Sequence, residues 1–382
     1  NASLSPEGHQ GVGQSLHLGE LRRMFDTVIL AHGADRPKWL GVEGEKDLAG
    51  RGVATARDLV AFYCGDPMLQ ENPLHARAKR EEAVSAVKEV VVVGAGNVAL
   101  DVARMLLSSP EDLHAQTEAA GRFLDLLSSP SYLSSIERVH ILARRGPRAA
   151  AFSPRELREL LSKRKDIITK IVLPPQETET EKEEEEEVNP FDDTVGEKPS
   201  RAQKRVFKLL RDHFEAQQKS SSSSSSSSSN KKELLIHFLH KPLRFLGETS
   251  LRGVEIELQR EVRHKDGGGE GKETNAHIEV EGKKKVIALP AQVAIIAASQ
   301  NTIPLEGLPL SALHSNERLN PKALAENEEA GLAPVYMCGW ANHGAKGIIG
   351  ASMLDADEVT TMVVRDIIAA AAAAAGGGGG GG

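Results

Sequence analysis

The sequence predicts an α/β fold built on a parallel sheet, and two apolar runs and one glycine turn carry that prediction. Residues 90–93 are four consecutive valines, and residues 139–142 (VHIL) form a second short run that is apolar apart from His140. Unbroken apolar runs are typical of strands that are buried on both faces of a parallel sheet. After the valines, the Gly-Ala-Gly of residues 94–96 opens an amphipathic stretch. This strand–turn–helix order indicates a dinucleotide-binding unit.

The turn after the valines has the G-x-G-x-x-A spacing of a diphosphate-binding loop. Gly94 permits a tight exit from the strand, Gly96 leaves room for a diphosphate to approach the backbone, and Ala99 sets the packing distance between helix and strand. The free N–H groups and the positive end of the helix dipole at Asn97 and Val98 face the anion. The alternative is a glycine turn that binds nothing, but the strand before it and the helix after it favour a nucleotide site.

The next strand selects between the two nicotinamide cofactors. In units of this kind, an acid at the carboxyl end of that strand holds a ribose 2′-hydroxyl, whereas a cation holds a 2′-phosphate. Residues 139–142 lead into Arg144 and Arg145. Two guanidinium groups offer fixed charge and paired donors for a phosphate, so the sequence predicts NADP(H) over NAD(H). A solvated arginine pair on a loop is the alternative.

Three separated motifs resemble one protein family. The first motif comprises residues 94–107 (GAGNVALDVARMLL), 143–147 (ARRGP) and 155–159 (RELRE). The second is residues 338–349 (CGWANHGAKGII), and the third is the opening, residues 11–13 (GVG) with 26–34 (DTVILAHGA). On these motifs the chain resembles the adrenodoxin reductase family, the ferredoxin–NADP reductases of mitochondria and bacteria. The resemblance implies an α/β flavoprotein with two dinucleotide-binding domains, of the glutathione-reductase-like fold.

The resemblance implies two cofactors, NADP(H) and FAD, and assigns residues to each. Glu156 would lie beside the NADP ribose, and Gly347 would touch both cofactors. Trp340 would pack near the flavin and nicotinamide rings, and Val12 would meet the flavin adenine. The other assigned residues are Gly94, Ala95, Gly96, Asn97 and Val98 at the NADP diphosphate, Arg144 and Arg145 at its 2′-phosphate, and the Ile348 and Ile349 backbone at the flavin ring.

The activity that the resemblance implies is hydride transfer from NADPH to FAD, followed by one-electron transfer to a [2Fe–2S] ferredoxin. Such chemistry needs no side-chain nucleophile, and Trp340, Asp101 and His343 are the candidates for a catalytic role. Cys64 and Cys338 lie far apart and form no C-x-x-C pair, so a redox-active dithiol is not expected. A mitochondrial location is implied by the resemblance alone.

An amphipathic helix is predicted over residues 200–214. Its cations share one broad face, opposite its apolar residues, and they are Arg201, Lys204, Arg205, Lys208 and Arg211. The family docks its acidic iron–sulfur partner on basic residues of the NADP domain, so this face is a candidate docking surface for an acidic ferredoxin. A solvated helix face beside an insert is the alternative.

The predicted organisation is an NADP-binding domain inserted into a FAD-binding domain, with low-complexity inserts that we expect to be disordered. The parts are a FAD segment at 1–60, the NADP domain at 61–292 with inserts at 174–232 and 264–285, a second FAD segment at 293–368, and an Ala/Gly tail at 369–382. The glycine motif that opens the family's FAD domain has no counterpart here. The sequence is therefore expected to lack the N-terminal FAD-diphosphate motif.

Composition argues against several other classes of protein. The net charge of −7 is dominated by an acidic run at residues 177–187, and no basic surface with interleaved aromatic residues points to nucleic acid. No apolar run approaches the roughly 18 residues of a membrane span. Two alternatives stay open. One is a flavin module similar to the small subunit of glutamate synthase, which shares the glycine turn, and the other is a non-catalytic NADP-binding remnant.

Overall fold

The computed structural model describes residues 3–4, 15–67, 86–129, 133–175, 186–192, 199–221, 231–264, 277–303, 305, 308, 332–345, 347 and 349–376. The chain divides into two compact units. The continuous unit is Trp39–Ala298, and the split unit combines Asn1–Lys38 with Ser299–Gly382.

The described strands alternate with helices only in part of the chain. In chain order they are β1 Ser3–Leu4, β2 Ser15–Leu16, β3 Val28–Leu30, β4 Arg36–Pro37, β5 Val53–Thr55, β6 Glu89–Val93, β7 Arg138–Ala143, β8 Ile167–Val172, β9 Glu186–Glu187, β10 Lys232–Phe238, β11 His240–Leu246, β12 Gly253–His264, β13 His277–Pro290, β14 Val293–Ile296, β15 Gln300–Asn301 and β16 Val335–Met337.

The described α-helices vary from one turn to 28 residues. They are α1 Leu18–Met24, α2 Ala56–Tyr63, α3 Asn97–Leu107, α4 Pro110–Gln116, α5 Gly121–Ser128, α6 Pro154–Arg158, α7 Arg201–Ser221, α8 Trp340–His343 and α9 Ile349–Gly376. None of them is both long and apolar enough to cross a membrane.

Six parallel strands form the main sheet of the continuous unit, in the order β5-β14-β6-β7-β10-β8. The valine strand β6 lies between β14 and β7, and its four valines are at most 5% exposed. Successive side chains of a strand point to opposite faces, so a strand that is apolar at every position must be covered on both sides. The prediction that the valine run is a buried parallel strand is confirmed.

Each face of this sheet has its own apolar core. Val90 and Val92 face a core that includes residues of α2, α3 and α5, whereas the alternate valines face a second core. That second core includes Phe245 of β11 and Ile256 of β12. These two strands belong to an antiparallel sheet with the order β11-β12-β13. One face of the parallel sheet is thus covered by helices, and strands of a second sheet contribute to the core on the other.

The limits of the continuous unit differ from those predicted for the NADP domain. Residues 61–292 were expected, but β5 and β14 are strands of the same six-stranded sheet, and the compact unit extends over Trp39–Ala298. The predicted range leaves out β5 and β14, which lie just before and just after it, because both strands are short. A run of three or four apolar residues does not show which domain its pairing partners belong to.

The prediction of disordered inserts was wrong for two segments. Within the range 174–232, α7 is a helix of 21 residues that buries Val206 and Leu210. Within the range 264–285, residues 277–285 are part of β13, which pairs with β12 along its length. The charged sequence of this segment reads as low complexity, because it contains no long apolar run that marks a strand. The other residues of these inserts lie outside the described residues, apart from residues near their ends and the short segment around β9.

The split unit is organised around the parallel pair β3–β16. Leu30, Val335 and Met337 lie in its apolar core. Helix α9 packs on this pair through Val359 and Val363, which contact Tyr336. The predicted low-complexity tail is helical up to Gly376, because its alanine run continues α9, while residues 377–382 lie outside the described part. Alanine has the highest helix propensity of all residues.

A row of buried polar side chains crosses the face of the main sheet opposite the helices. His140 Nε2 lies 2.8 Å from Glu89 Oε2, and His140 Nδ1 lies 3.0 Å from His237 Nε2. The ring of His240 meets that of His237 with centroids 5.0 Å apart. Both ring nitrogens of His140 are thus engaged, Nε2 by the Glu89 carboxylate and Nδ1 by His237. The buried Nδ1 of His237 has no hydrogen-bond partner in the described residues.

This arrangement lowers the pKa values of two of these groups, His237 and Glu89. Burial lowers the pKa of His237 to about 2, with smaller contributions from His240 and His140. Burial alone would raise the pKa of Glu89, but hydrogen bonds from His140 and Arg138 outweigh it and bring the value to about 2. Among the described residues, no group of three or more His, Cys, Asp or Glu side chains could hold a metal ion. Within this network, burial holds His237 in its neutral form.

We expect the protein to lose stability in mild acid because of His237. In the unfolded chain this residue takes up a proton as the pH falls through 6.5, while in the folded chain its pKa is about 2. Its contribution is therefore complete above the unfolded pKa and declines as the pH falls below it. Between about pH 7.5 and about pH 5.5, the share of His237 in the lost free energy of unfolding is about 1.4 kcal/mol.

The measurement is urea unfolding at both pH values for the wild type and for His237→Gln, whose amide offers His140 both a donor and an acceptor. The variant should lose less stability on acidification than the wild type. His114→Gln is the matched control, because His114 lies exposed on α4, and it should keep the wild-type pH dependence. An unchanged pH dependence in His237→Gln would contradict the assignment.

Candidate functional site

The chain leaves β6 through a glycine that no other residue can replace without strain. Gly94 has φ +143°, a region in which residues with a side chain are rarely found. A Cβ at this position would lie 2.5 Å from the carbonyl oxygen of Ala297. The Gly94 N–H also donates to the carbonyl of Leu142, at 3.0 Å. The turn is thus wedged between β7 and the end of β14.

The helix that follows presents an uncapped N-terminus. Gly96 is the N-cap residue of α3, it offers no side-chain hydrogen bond, and the first turn of the helix holds no acidic residue. A Cβ at Gly96 would meet no atom within 4 Å. Open space beside free N–H groups at a helix N-terminus is suited to an anion. Ala99 is fully buried against the sheet, which is the packing position that the sequence predicted for it.

A second loop closes one side of this turn. The Ala151 N–H donates to the carbonyl of Ala95 at 2.8 Å, and the Ser153 N–H donates to Asn97 Oδ1 at 2.6 Å. Asn97 was predicted to contact the diphosphate, and its side-chain oxygen is already engaged in holding this loop. The backbone N–H groups of Asn97 and Val98 lie at the first two positions of α3.

The predicted phosphate-binding arginines lie at the carboxyl end of β7, as expected. Arg144 and Arg145 directly follow β7 and are both exposed. The structure gives neither guanidinium an ion pair with another described residue. The backbone of Arg145 is held, since its carbonyl accepts from the Leu239 N–H at 3.3 Å. Two unneutralised cations on an anchored turn can bind a multiply charged anion.

Glu156 lies in the first turn of α6, where its N–H donates to the Ser153 hydroxyl at 3.3 Å. Its Oε2 atom is buried and accepts no hydrogen bond from the described residues. A buried carboxylate oxygen without a partner is rare in folded proteins and often marks a ligand or water position. Asp101, a candidate for a catalytic role, is instead paired with Arg104 at 2.6 Å, and burial raises its pKa.

The glycine-rich segment of the split unit forms a short helix between two left-handed glycines. Gly339 has φ +64° and Gly344 has φ +74°, on either side of α8. The Gly339 N–H donates to Asp355 Oδ2 at 2.6 Å, and the Thr302 hydroxyl donates to the Trp340 carbonyl at 3.1 Å. The indole of Trp340 is half-buried. These bonds fix the turn that carries Trp340.

Asn342 is a candidate residue of this segment that the sequence reasoning missed. It is 4% exposed, and both polar atoms of its amide lack a hydrogen-bond partner among the described residues. Burying an amide without partners is unfavourable, so a ligand with a donor and an acceptor suits this position. Its place between Trp340 and Gly344 was the available signal, but a polar residue inside a short glycine-flanked motif has many possible roles.

The remaining predicted residues of the split unit are only partly described. Gly347 is exposed, with φ +82°, and Ile349 begins α9 with 81% exposure. His343 is half-buried at the end of α8, and its N–H donates to the Gly339 carbonyl at 3.1 Å. Val12 and Ile348 lie outside the described residues.

Comparisons with known proteins decide the family. No family model matches the chain. The chain is 30% identical over 366 residues to the protein named NADPH:adrenodoxin oxidoreductase, mitochondrial, of Arabidopsis thaliana, with 94% of this chain and 68% of that protein covered. The chain belongs to the NADPH:adrenodoxin oxidoreductase family. The match to the protein of the same name from Salvelinus fontinalis is 31% over 379 residues, with 96% and 65% covered.

A solved member supports the same assignment. FprA from Mycobacterium tuberculosis in complex with NADPH is 26% identical with a TM-score of 0.66, covering 94% of this chain and 67% of that one. The predicted family and fold class are therefore confirmed. Like the other matches, this one leaves about a third of the relative uncovered, so the chain spans about two thirds of the length of these reductases.

Helix α7 carries the predicted basic face of this family member. Lys204, Arg205 and Lys208 are exposed, as is Arg201, while Arg211 is half-buried with its guanidinium 5.8 Å from the centre of the Phe207 ring. The helix covers the edge strand β8. The Gln217 side chain accepts from the Ile171 N–H at 2.8 Å and donates to its carbonyl at 3.0 Å. The cationic face is therefore carried by a helix that is fixed to the sheet.

The close packing of Gly94 can be tested by substitution. We expect Gly94→Ala to lower the free energy of unfolding by about 2–4 kcal/mol, because the new methyl group meets a backbone oxygen and the residue has a positive φ. Gly96→Ala is the matched control. Gly96 has φ −122° and open space, so the change should be below about 1 kcal/mol. Equal destabilisation in urea unfolding would contradict this reading of the turn.

Proposed function

We propose that this chain is an NADPH-dependent flavin oxidoreductase that passes electrons to a ferredoxin. The observation that carries the proposal is the pairing of two features in one sheet. An uncapped helix N-terminus follows β6, and two arginines without ion pairs among the described residues follow the neighbouring strand β7. A diphosphate and a 2′-phosphate are the two anionic groups of NADPH. The family to which the chain belongs is named for this cofactor.

In this proposal, each nucleotide-binding residue has a separate role. The backbone at residues 94–98 receives the diphosphate, and Arg144 with Arg145 holds the 2′-phosphate. The buried, unpartnered oxygen of Glu156 would accept from a ribose hydroxyl, which supplies the missing donor. Asp101 stabilises α3 through its pair with Arg104.

The residues of the split unit fit a flavin ring. FAD, when bound, would accept hydride from NADPH and release electrons one at a time. The left-handed glycines Gly344 and Gly347 leave the backbone bare, so that a flat ring can approach it. The unpartnered amide of Asn342 offers one donor and one acceptor to polar ring atoms. Trp340 would pack against the ring, and we assign Ile348, Ile349 and Val12 to the flavin from the family motif alone.

The exposed cations of α7 support an acidic ferredoxin as the electron acceptor. Complementary charge speeds the association of electron-transfer partners and orients them, without requiring a large apolar interface. Because several relatives are mitochondrial by name, we also propose a mitochondrial location. Both proposals rest on the family and on the charge pattern of the helix.

The first test measures nucleotide selectivity through the flavin. Purified chain is incubated with FAD, and NADPH or NADH is added without oxygen while the flavin absorption is followed. NADPH should bleach the bound flavin at a far lower concentration than NADH. In the double variant Arg144→Ala with Arg145→Ala, the NADPH concentration for half-bleaching should rise about 10- to 1000-fold, because each charge-assisted contact contributes about 1.5–3 kcal/mol with incomplete additivity.

The control is the NADH titration of the same double variant, which should change little. Equal effects on NADPH and NADH would exclude the 2′-phosphate role of the two arginines. A chain that binds NADPH but no flavin would contradict the oxidoreductase proposal for this polypeptide and would leave the nucleotide-binding part standing.

The docking surface makes a separate prediction. The double variant Lys204→Glu with Lys208→Glu should bind an acidic [2Fe–2S] ferredoxin about tenfold more weakly at low ionic strength, and high salt should reduce the difference. The matched control is Lys46→Glu with Arg51→Glu. It makes the same change in net charge at exposed residues close to β5, at the opposite edge of the sheet from β8. Equal weakening by both pairs would exclude a specific surface on α7.

A further inference from the structure

We propose that Glu261 is a positioning residue that holds the Arg144–Arg145 turn in the shape that recognises a 2′-phosphate. The inference rests on the proposed function, because it assigns a support to the phosphate-binding arginines. Glu261 lies on β12, in the antiparallel sheet, far from the glycine motif in sequence. Its side chain is 5% exposed, and it reaches the turn that follows β7.

The contact between Glu261 and the turn is unusually close. The Gly146 N–H donates to the Glu261 carboxylate, and Gly146 directly follows the two arginines. A Cβ at Gly146 would lie 2.1 Å from Glu261 Oε1. The backbone of Gly146 has φ −70°, which any residue adopts. A glycine is therefore required here for the close approach of the carboxylate and not for the backbone conformation.

Arg148 completes the attachment on the other side of the turn. Its guanidinium pairs with the Glu261 carboxylate and donates to the Asp192 carbonyl. The backbone of Glu261 is engaged as well, since its carbonyl accepts from the Val188 N–H at 2.8 Å. The Glu261 carboxylate thus joins Gly146 to Arg148, and the Glu261 carbonyl and the Arg148 guanidinium join them to the segment that follows β9.

The same strand holds Arg145 by a second route. The Gln259 N–H of β12 donates to the Leu239 carbonyl at 2.9 Å, and the Leu239 N–H donates to the Arg145 carbonyl at 3.3 Å. Residues 259 and 261 lie on one face of β12 and act on consecutive residues of the turn. The backbone of the phosphate-binding turn is therefore fixed from the antiparallel sheet.

This fixation matters because the arginine side chains have no support of their own. Both are exposed, and neither has an ion pair in the described part of the chain, so the backbone alone limits where they point. Preorganising the backbone reduces the ordering that phosphate binding requires. A carboxylate suits the position because two donors, the Gly146 N–H and the Arg148 guanidinium, converge on it.

The experiment compares ligands that differ only in the 2′-phosphate. The affinities of adenosine 2′,5′-bisphosphate and of 5′-AMP are measured by calorimetry for the wild type, Glu261→Gln and Arg148→Lys, each with its melting temperature. Glutamine offers one acceptor where two donors converge, and lysine cannot form the fork that reaches both Glu261 and Asp192. The ratio of the two affinities should fall about tenfold, equivalent to about 1.4 kcal/mol, while 5′-AMP binding stays the same.

Glu257→Gln is the matched control, because Glu257 lies on the same strand and pairs with Lys241 at 3.0 Å. It should keep the wild-type ratio. A wild type that binds both ligands equally would overturn the proposed 2′-phosphate site. If Glu261→Gln keeps the wild-type preference for adenosine 2′,5′-bisphosphate, the positioning role is overturned and the 2′-phosphate site stands. If Glu261→Gln does not fold, the same conclusion follows from an unchanged preference in Arg148→Lys. Equal loss of both ligands in a folded variant would also overturn it.

Discussion

The close seating of β6 between β14 and β7 is the constraint on which the nucleotide-binding turn depends. The last valine of this strand is followed by Gly94, whose backbone bonds to Leu142 of β7 and meets Ala297 after β14. The chain has room to turn only without a side chain. Because the turn is so tight, α3 begins three residues later, at Asn97, with its N–H groups at the carboxyl edge of the sheet. The arginines that follow β7 lie at that same edge.

Sequence reasoning succeeded where the structure is local. The valine strand, the glycine turn, α3, the strand before Arg144 and the basic helix α7 follow from the order and spacing of nearby residues, and the structure contains each of them. It failed where order comes from a distant partner. Residues 277–282 pair with β12, yet they read as part of a charged insert, because no long apolar run in the sequence marks them as a strand.

The same limit explains the site residues that were missed. Asn342 became a candidate only because its buried amide lacks a partner, which is a property of packing and not of sequence. Glu261 lies more than a hundred residues after the turn that it contacts, in a strand that reads as alternating charge. The family motifs assign residues to the cofactors, but they do not include the residues that support them, such as Glu261.

The arginines on β7 and its following turn differ in whether a carboxylate neutralises their charge. Arg138 and Arg148 are each paired with a carboxylate of low exposure, Glu89 and Glu261 respectively. A guanidinium whose charge is already balanced gains little from a phosphate. Arg144 and Arg145 lie between these two on the same strand and turn, without such a partner in the described residues. The Glu261–Arg148 pair holds the backbone next to Arg145, so the two unpaired guanidinium groups extend from a fixed turn.

Binding of the diphosphate and selection of a 2′-phosphate therefore depend on different residues. The glycine turn and the N-terminus of α3 serve any dinucleotide, because they address the diphosphate that all of these cofactors share. Selection of a 2′-phosphate depends on where two long side chains can reach, and their backbone is held by β12. Strand β12 is not part of the strand–turn–helix motif. In the proposed site, the antiparallel sheet would therefore contribute more than cover for the second core, since it would set the geometry of the turn that distinguishes NADPH from NADH.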